Sequence, residues 1–292
     1  MKYLFIIFLS LSSAYATLNV QTTYTTMAEI VKKIGGDEVK VNTLSSPHYD
    51  PHFIVPKPSL ISKLRRADVL VISGAGLELG WLPPLLKGAH NGKIRPGAQG
   101  FIDVSNAVHL SDVPVTVSRA FGDVHSQGNP HYMLDPYNVP LVAKFIASRL
   151  SVVDASHAEL YQKNLSSFLK EWQVYLNGLN AKMTECKDKK VVQYHELFNY
   201  FLARYGYESY GNIEPLPGVS PSSKHSMKLI NTIKSQKVHR ILQDVYHSQK
   251  TGKFIAKKTD AKFIVLPHDV RAVDGADTLE NFYTVIAERI CQ

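Results

Sequence analysis

The chain has 292 residues, with 33 Lys and Arg against 25 Asp and Glu, which gives a net charge of +8 at pH 7 with His neutral. The only tight cationic run is Lys187, Lys189 and Lys190, and no basic stripe is interleaved with aromatic residues, which argues against nucleic-acid binding. Two cysteines, Cys186 and Cys291, are too few for a disulfide scaffold and wrongly spaced for a cysteine zinc site.

The first residues have the pattern of a secretion signal. Lys2 is positively charged, Tyr3–Leu11 is mostly apolar, and the small residues Ala14 and Ala16 form a cleavage motif. The apolar run is about half of the roughly 20 residues that a bilayer span needs, and no cysteine follows to accept a lipid. We therefore predict a signal peptide over residues 1–16 and a mature protein without a membrane anchor.

The roughly 275 residues that follow exceed one typical domain and indicate two. In the first half, short apolar runs alternate with helical patterns, which is typical of a mostly parallel sheet covered by helices. The predicted strands are Leu18–Thr22, Val39–Leu44, Val69–Ser73 and Phe101–Val104, and the predicted helices are Thr25–Ile34, Ser59–Arg66 and Leu77–Leu86.

The strongest helical signal lies in the middle of the chain. Apolar residues recur three and four positions apart from Leu165 to Met183, and Ser156 with Glu159 forms a capping-box pattern before them. We predict one helix from His157 to about Met183, roughly 40 Å long. Because no Gly/Ser-rich linker occurs here, the connection should be rigid.

The alternating pattern then returns, with predicted strands at Lys190–Tyr194, Arg240–Asp244 and Lys262–Leu266. The predicted fold class is α/β, with two lobes of mostly parallel sheet joined by one long rigid helix. We assign residues 17–153 to an N-terminal lobe, 154–185 to the linking helix and 186–292 to a C-terminal lobe.

In an oxidising compartment, Cys186 and Cys291 are expected to pair. The bond would tie the start of the C-terminal lobe to the last helix. Two unpaired buried thiols are the alternative.

Three histidines and one carboxylate stand at positions suited to metal binding. His52 and His131 each follow a proline, His195 directly follows a predicted strand, and Asp269 lies just beyond the last one. Ligands of open α/β sheets sit beyond the carboxyl ends of strands, and three neutral imidazoles with a carboxylate suit tetrahedral Zn²⁺. A shared metal site is one interpretation, and scattered loop histidines are the other.

A series of short motifs also occurs in order along nearly the whole mature chain. The motifs are Asp50-Pro51-His52, Pro56-Lys57-Pro58-Ser59, Gly76-Leu77-Glu78, Trp81-Leu82, Asn129-Pro130-His131, Leu134-Asp135-Pro136, His195 before Tyr200-Phe201 and Tyr205-Gly206, and Glu214-Pro215 before Pro217-Gly218. In this order they resemble the periplasmic zinc- and manganese-binding receptors of ATP-binding-cassette importers.

The resemblance implies a monomeric periplasmic receptor that binds Zn²⁺, with Mn²⁺ less favoured, and delivers it to a membrane permease. It places metal ligands at His52, His131 and His195, and a carboxylate after the last strand. Asp269 matches that place best, with the adjacent His268 as the alternative. His195 favours zinc because manganese receptors of this family tend to have a carboxylate at the matching position.

Two other functions fit parts of the sequence. A metal-dependent hydrolase also uses histidines and a carboxylate, but His195-Glu196 lacks the second histidine of a zinc-protease helix, and no nucleophile elbow or phosphate loop occurs. We therefore predict a protein that is not an enzyme. A metal-binding adhesin of the same fold is not distinguished by the sequence.

Residues around the predicted site received weaker assignments. The segment Ser118–Gly128 contains only Asp123 and His125 as metal-binding residue types, so we predict no metal-gathering loop and treat His125 as an ordinary loop residue. Glu78 and Glu214 are candidates to orient imidazoles, and a structural role is the alternative for both.

Overall fold

The computed structural model describes residues 17–114 and 125–292. The predicted signal peptide, and residues 118–124 of the segment before Asn129, lie outside the described residues. Within the described ranges, no helix combines the length and apolar character required to cross a membrane.

The N-terminal lobe is built on a four-stranded parallel sheet of order β2-β1-β3-β4. The strands match the predicted ones to within a residue at each end. The helix predicted over residues 77–86 begins later, at Leu82, with Pro83 and Pro84 in its first turn, where a missing N–H costs no hydrogen bond. The elements are β1 Leu18–Thr22, α1 Thr25–Gly35, β2 Val39–Thr43, α2 Pro58–Arg65, β3 Val69–Ile72, α3 Leu82–Ala89, β4 Phe101–Asp103 and α4 Asn138–Val153.

The C-terminal lobe repeats this topology with a parallel sheet of order β6-β5-β7-β8. Its edge strand β6 was not predicted, because the sequence Glu-Ser-Tyr-Gly-Asn is polar and the strand is largely accessible to solvent. The elements are β5 Lys190–Gln193, α6 Asn199–Arg204, β6 Glu208–Asn212, α7 Ser223–Gln236, β7 Arg240–Gln243, α8 Lys250–Thr259, β8 Lys262–Val265 and α9 Leu279–Cys291.

Helix α5, Ala158–Glu185, joins the two lobes and confirms the predicted long helix. The predicted capping box is wrong, because the Ser156 hydroxyl donates to Asp154 Oδ1 at 2.6 Å instead of capping the helix. The buried face of α5 packs against α1, α4 and α9. The predicted α/β fold of two parallel-sheet lobes and a connecting helix is therefore confirmed.

One apolar core extends from the first lobe through α5 into the second lobe. It includes Val20 and Ile30 from the first lobe, Trp172 from α5, and Val191 and Phe282 from the second lobe. Since this core crosses the predicted boundaries, the division into residues 17–153, 154–185 and 186–292 stays a prediction.

A disulfide bond joins Cys186 to Cys291, with 4.9 Å between the two Cα atoms. Cys186 follows the last residue of α5, and Cys291 is the last residue of α9. The pairing expected for an oxidising compartment is therefore present, and it fixes the end of the linking helix to the last helix.

Candidate metal centre

The three predicted histidine ligands meet between the two sheets. His52 lies on the loop after β2, His131 lies on the segment between β4 and α4, and His195 follows β5. Each offers one donor atom, and these atoms all lie within 4.8 Å of one another. The parallel sheets thus bring together residues that are as far as 143 positions apart in the sequence, because the ends of their strands face one cleft.

The three imidazole rings form a nearly equilateral triangle. Their centroids are 5.2 Å apart for His52 and His131, 5.7 Å for His52 and His195, and 5.5 Å for His131 and His195. The ring planes are close to perpendicular, at 76° to 85°. A tetrahedral zinc ion with Zn–N bonds of about 2.1 Å needs nitrogens about 3.4 Å apart, so a small convergence of the rings would supply three of its four ligands.

Carboxylates orient two of the rings. Asp50 Oδ1 lies 2.8 Å from His52 Nδ1, and Glu214 Oε2 lies 2.6 Å from His195 Nδ1. An ionised carboxylate can only accept, so each Nδ1 donates, which leaves the lone pair of Nε2 free for a metal. The Nε2 of His131 is buried and makes no hydrogen bond among the described residues.

The backbone before His52 is also held in place. The Pro51 carbonyl accepts hydrogen bonds from the Tyr24 hydroxyl at 2.9 Å and from the Trp81 indole at 3.1 Å. Both donors are buried in a separate apolar cluster that lies within the first lobe. The imidazole is therefore presented by a fixed loop.

Burial keeps the site ready to bind a cation. Loss of solvation lowers the pKa of His131 well below its usual range, and the neighbouring His52 and His195 lower it further. The ring is therefore neutral near pH 7, as a metal ligand must be. Burial would raise the pKa of Asp50, but its hydrogen bonds with His52 and the electrostatic attraction between the two side chains outweigh burial and lower that pKa.

The two glutamates named from the sequence have different roles. Glu214 holds His195 with one oxygen and accepts the Gly218 N–H with the other, at 2.9 Å, so it is a fixed orienting group. Glu78 contacts no imidazole among the described residues and instead accepts hydrogen bonds from Thr23, Ser73 and Gly74 at the ends of β1 and β3. Burial raises the pKa of Glu78 to about 7.

The structure does not bring Asp269 into the group of three histidines. Its oxygens accept the backbone N–H groups of Thr25 at 2.9 Å and Thr26 at 2.7 Å, together with the Thr26 hydroxyl. Asp269 thus satisfies the amino end of α1 from the other lobe, where a negative charge is favoured. Its assignment as a metal ligand stays a prediction.

His268, the alternative fourth donor, also lies near this region. Its ring packs edge-on against Tyr246 with 4.8 Å between centroids, and its Nδ1 is buried without a hydrogen-bond partner among the described residues. His131, His268 and Asp269 line one cavity of about 40 Å³. His268 is therefore adjacent to the site, while the group of converging donors contains His52, His131 and His195.

Sequence reasoning missed two histidines of the cleft. The ring of His125 lies 5.2 Å from that of His52, and the ring of His247 lies 6.4 Å from that of His195. His247 stacks on Tyr194 and contacts Asp244 Oδ2 at 2.9 Å through Nδ1. Neither follows a proline or directly ends a strand, so no local sequence signal marked them.

The cleft beside the histidines is small. A cavity of about 210 Å³ is lined by His125, His131, His195 and Glu214, among others. Pockets for drug-sized molecules are usually about 300–1,000 Å³. The converging nitrogens beside this cavity are suitable donors for a metal ion.

Comparisons with known proteins agree with the fold. The zinc-binding lipoprotein AdcA of Streptococcus pneumoniae is 23% identical over 94% of this chain and 54% of its own length, so the chain spans about half of that relative. The metal ABC transporter substrate-binding lipoprotein FimA of Streptococcus parasanguinis is 26% identical over 86% of this chain and 80% of its own.

A crystal structure of ZnuA is 25% identical, with a TM-score of 0.75, and the match covers 94% of this chain and 99% of that one. Residues 20–290 match the family model described as zinc-uptake complex component A, periplasmic. Since that match covers nearly all of the chain beyond the predicted signal peptide, the protein belongs to the ZnuA family of periplasmic zinc-uptake components.

Proposed function

We propose that this protein captures Zn²⁺ with His52, His131 and His195 and delivers it to the permease of an ATP-binding-cassette importer. The observation that carries the proposal is the convergence of three imidazole donors within 4.8 Å of one another in the cleft between the lobes. Membership of the ZnuA family and the likeness to AdcA support the same function.

The site fits a carrier better than a hydrolase. A catalytic zinc needs a coordination position open to substrate and a general base beside it. The carboxylates that contact the imidazoles, Asp50 and Glu214, are both engaged in holding Nδ1–H groups. Both therefore orient ligand rings, and we propose a receptor that is not an enzyme.

Zinc is the preferred metal in this proposal. Three imidazole nitrogens suit Zn²⁺. Mn²⁺ prefers oxygen donors and higher coordination numbers, and it stands at the bottom of the Irving–Williams order. Comparable affinities for the two metals would contradict this assignment.

The proposed location is the periplasm, reached through the signal peptide at residues 1–16, and the proposed working form is a monomer that meets the permease. AdcA and FimA are named lipoproteins, whereas this sequence predicts cleavage without lipid attachment. Cell fractionation with detection of the mature amino terminus would decide between a released and a lipid-anchored form.

Calorimetric titration of the metal-free protein tests the main proposal. We expect one Zn²⁺ per chain in the wild type and loss of most affinity in His195→Ala. His48→Ala is the matched control, since His48 is exposed on the loop that carries His52 and is not among the converging donors. A wild type without saturable zinc binding, or a His195→Ala variant that binds as tightly, would overturn the proposal.

A further inference from the structure

His125 is placed to reach the three histidines of the metal centre. Its ring centroid is 5.2 Å from that of His52, the same separation as between His52 and His131, and 6.5 Å from that of His131. It also lines the 210 Å³ cavity together with His131 and His195. A fourth imidazole therefore lies beside the three converging ones and borders the same cavity.

The donor atom of His125 is free among the described residues. Its Nε2 is buried and has no hydrogen-bond partner there, as is also the case for Nε2 of His131. A buried polar atom of this kind usually has a partner in native proteins, so an orphaned one calls for a ligand or an ion. Two orphaned imidazole nitrogens beside one cavity fit a shared cation.

The backbone supports the ring at this place. The His125 carbonyl accepts the Gly128 N–H at 3.1 Å, and the Asn129 N–H is bonded to the Ser111 carbonyl at 2.8 Å. Gly76 has a φ of +86°, and a Cβ there would come within 3.3 Å of His125 Nδ1. A turn therefore fixes the backbone at His125, and the missing Cβ of Gly76 leaves room for its ring.

Asp269, by contrast, already holds a neighbouring helix. Both of its oxygens accept N–H groups at the amino end of α1, and one also accepts the Thr26 hydroxyl. Releasing them would leave buried backbone donors unsatisfied, which is unfavourable. Rotation of the His125 side chain leaves no such group behind among the described residues.

We propose that His125 supplies the fourth ligand, which makes the centre a four-histidine site for a divalent metal of borderline softness. This inference rests on the proposed function and names the missing member of that site. The donor of His125 is not part of the group within 4.8 Å, so a rotation of its ring toward the other three accompanies metal binding. Four neutral nitrogens would disfavour Mn²⁺ more than three do.

Zinc-edge X-ray absorption and Co²⁺ substitution test the ligand set directly. We expect four imidazole nitrogens around zinc in the wild type. In His125→Ala we expect three imidazoles with one oxygen from water, altered visible bands of bound Co²⁺, and a zinc Kd weakened by about 10- to 100-fold, the loss seen even for outer-shell partners.

The matched variant is Asp269→Asn, which keeps an oxygen acceptor for α1. We expect Co²⁺ bound to this variant to have the same visible spectrum as Co²⁺ bound to the wild type. The melting temperature of the variant would separately report any loss of the contact with α1. If Asp269→Asn changes the Co²⁺ spectrum while His125→Ala does not, the carboxylate is the fourth ligand and our inference is wrong.

These outcomes also separate the two proposals. Zinc bound by three histidines with no effect of His125→Ala would overturn only the role of His125. A wild type without saturable zinc binding would overturn the proposed function, and with it the fourth ligand.

Discussion

The carboxylates around the metal centre contact imidazoles and backbone groups. Asp50 and Glu214 each accept an Nδ1–H, and Asp269 accepts the N–H groups at the start of α1. An imidazole whose Nδ1–H is bonded to a carboxylate has a fixed tautomer and a more basic Nε2. Asp50 and Glu214 should therefore tune the metal affinity through the imidazoles that they hold.

Replacing Glu214 with Gln tests this role. The amide is a weaker acceptor than the carboxylate, so His195 loses orientation and basicity, and we expect zinc affinity to fall by about tenfold or more. Competition with a chelating dye would measure it. The control is Glu196→Gln, because Glu196 is next to His195 but bonds to Asn212 instead. Equal affinities of wild type and Glu214→Gln would show that this hydrogen bond does not act on the metal.

The lowered pKa of His131 makes the stability of the metal-free protein depend on pH. Burial holds this pKa well below the unfolded value of about 6.5, so below pH 6.5 the unfolded chain binds more protons than the native one. The contribution of His131 to the free energy of unfolding should therefore be fully present above about pH 6.5. It should decrease as the pH falls from there toward the pKa of His131 in the native protein. Urea titrations from pH 7.5 to 5 would measure the slope.

The variant His131→Asn isolates this contribution. It should show a shallower decrease over the same pH range, because the unfolded chain has one fewer imidazole to protonate. Burial would lower the pKa of His247, but its hydrogen bond to Asp244 outweighs this and raises it. The contribution of His247 to the free energy of unfolding therefore changes with pH in the opposite direction. Because His247 is present in both the wild type and His131→Asn, the difference between their pH dependences reports on His131. Parallel curves would contradict the assigned direction.

The elements were predictable where periodicity and burial coincide. Strands such as β3 Val69–Ile72 are buried along their whole length and appear in the sequence as apolar runs, and α5 has a continuous apolar stripe. Strand β6 was missed because an edge strand needs no apolar run. The start of α5 was assigned a cap that Ser156 does not provide, since its hydroxyl is used by Asp154.

The candidate site was predictable where its residues have a local sequence signal. His52, His131 and His195 carry local signals, a preceding proline or a strand end, and the structure brings them together. The position of His125 depends on a tertiary contact with Gly76, and the use of Asp269 at α1 depends on packing between lobes. Neither contact has a signature in the nearby sequence.

The bond between Cys186 and Cys291 should contribute substantially to stability, because it closes a loop between residues 105 positions apart. The chain-entropy model gives about 4.7 kcal/mol for a 100-residue loop, and measured losses for native disulfides are about 2–5 kcal/mol. We expect the double variant Cys186→Ala, Cys291→Ala to lose free energy of unfolding in this range in denaturant titrations. Wild type under reducing conditions is the control and should match it. A decrease in the free energy of unfolding of less than about 0.5 kcal/mol would show that the disulfide does not contribute substantially to stability.

At the scale of the molecule, the second lobe holds the segment that carries His131. The Tyr200 hydroxyl donates to the Asn129 carbonyl at 2.8 Å, the Tyr283 hydroxyl donates to the Met133 carbonyl, and Arg204 pairs with Asp135 at 2.7 Å. His131 and His195 therefore have a defined relative position before metal binding. A small loop rearrangement suits this arrangement better than a wide hinge motion.

The shared core predicts that the two lobes unfold together. Because one apolar cluster includes strands of both sheets and the buried face of α5, each lobe would lose part of its core if the other unfolded. We expect coincident transitions from far-ultraviolet circular dichroism and from tryptophan fluorescence. In the variant Trp172→Phe, Trp81 is the only remaining tryptophan and reports on the first lobe.

Zinc should shift this single transition as a whole. A ligand that binds only the native state adds RT ln(1 + [L]/Kd), which is about 4 kcal/mol at a thousandfold excess over Kd. Because His52 and His131 come from one lobe and His195 from the other, the bound metal stabilises both lobes, and both probes should move by the same amount. The control is His195→Ala, in which the zinc-induced shift of both probes should be much smaller. Separate transitions, or a shift confined to the Trp81 signal, would show that the lobes are not coupled through the core and the metal centre.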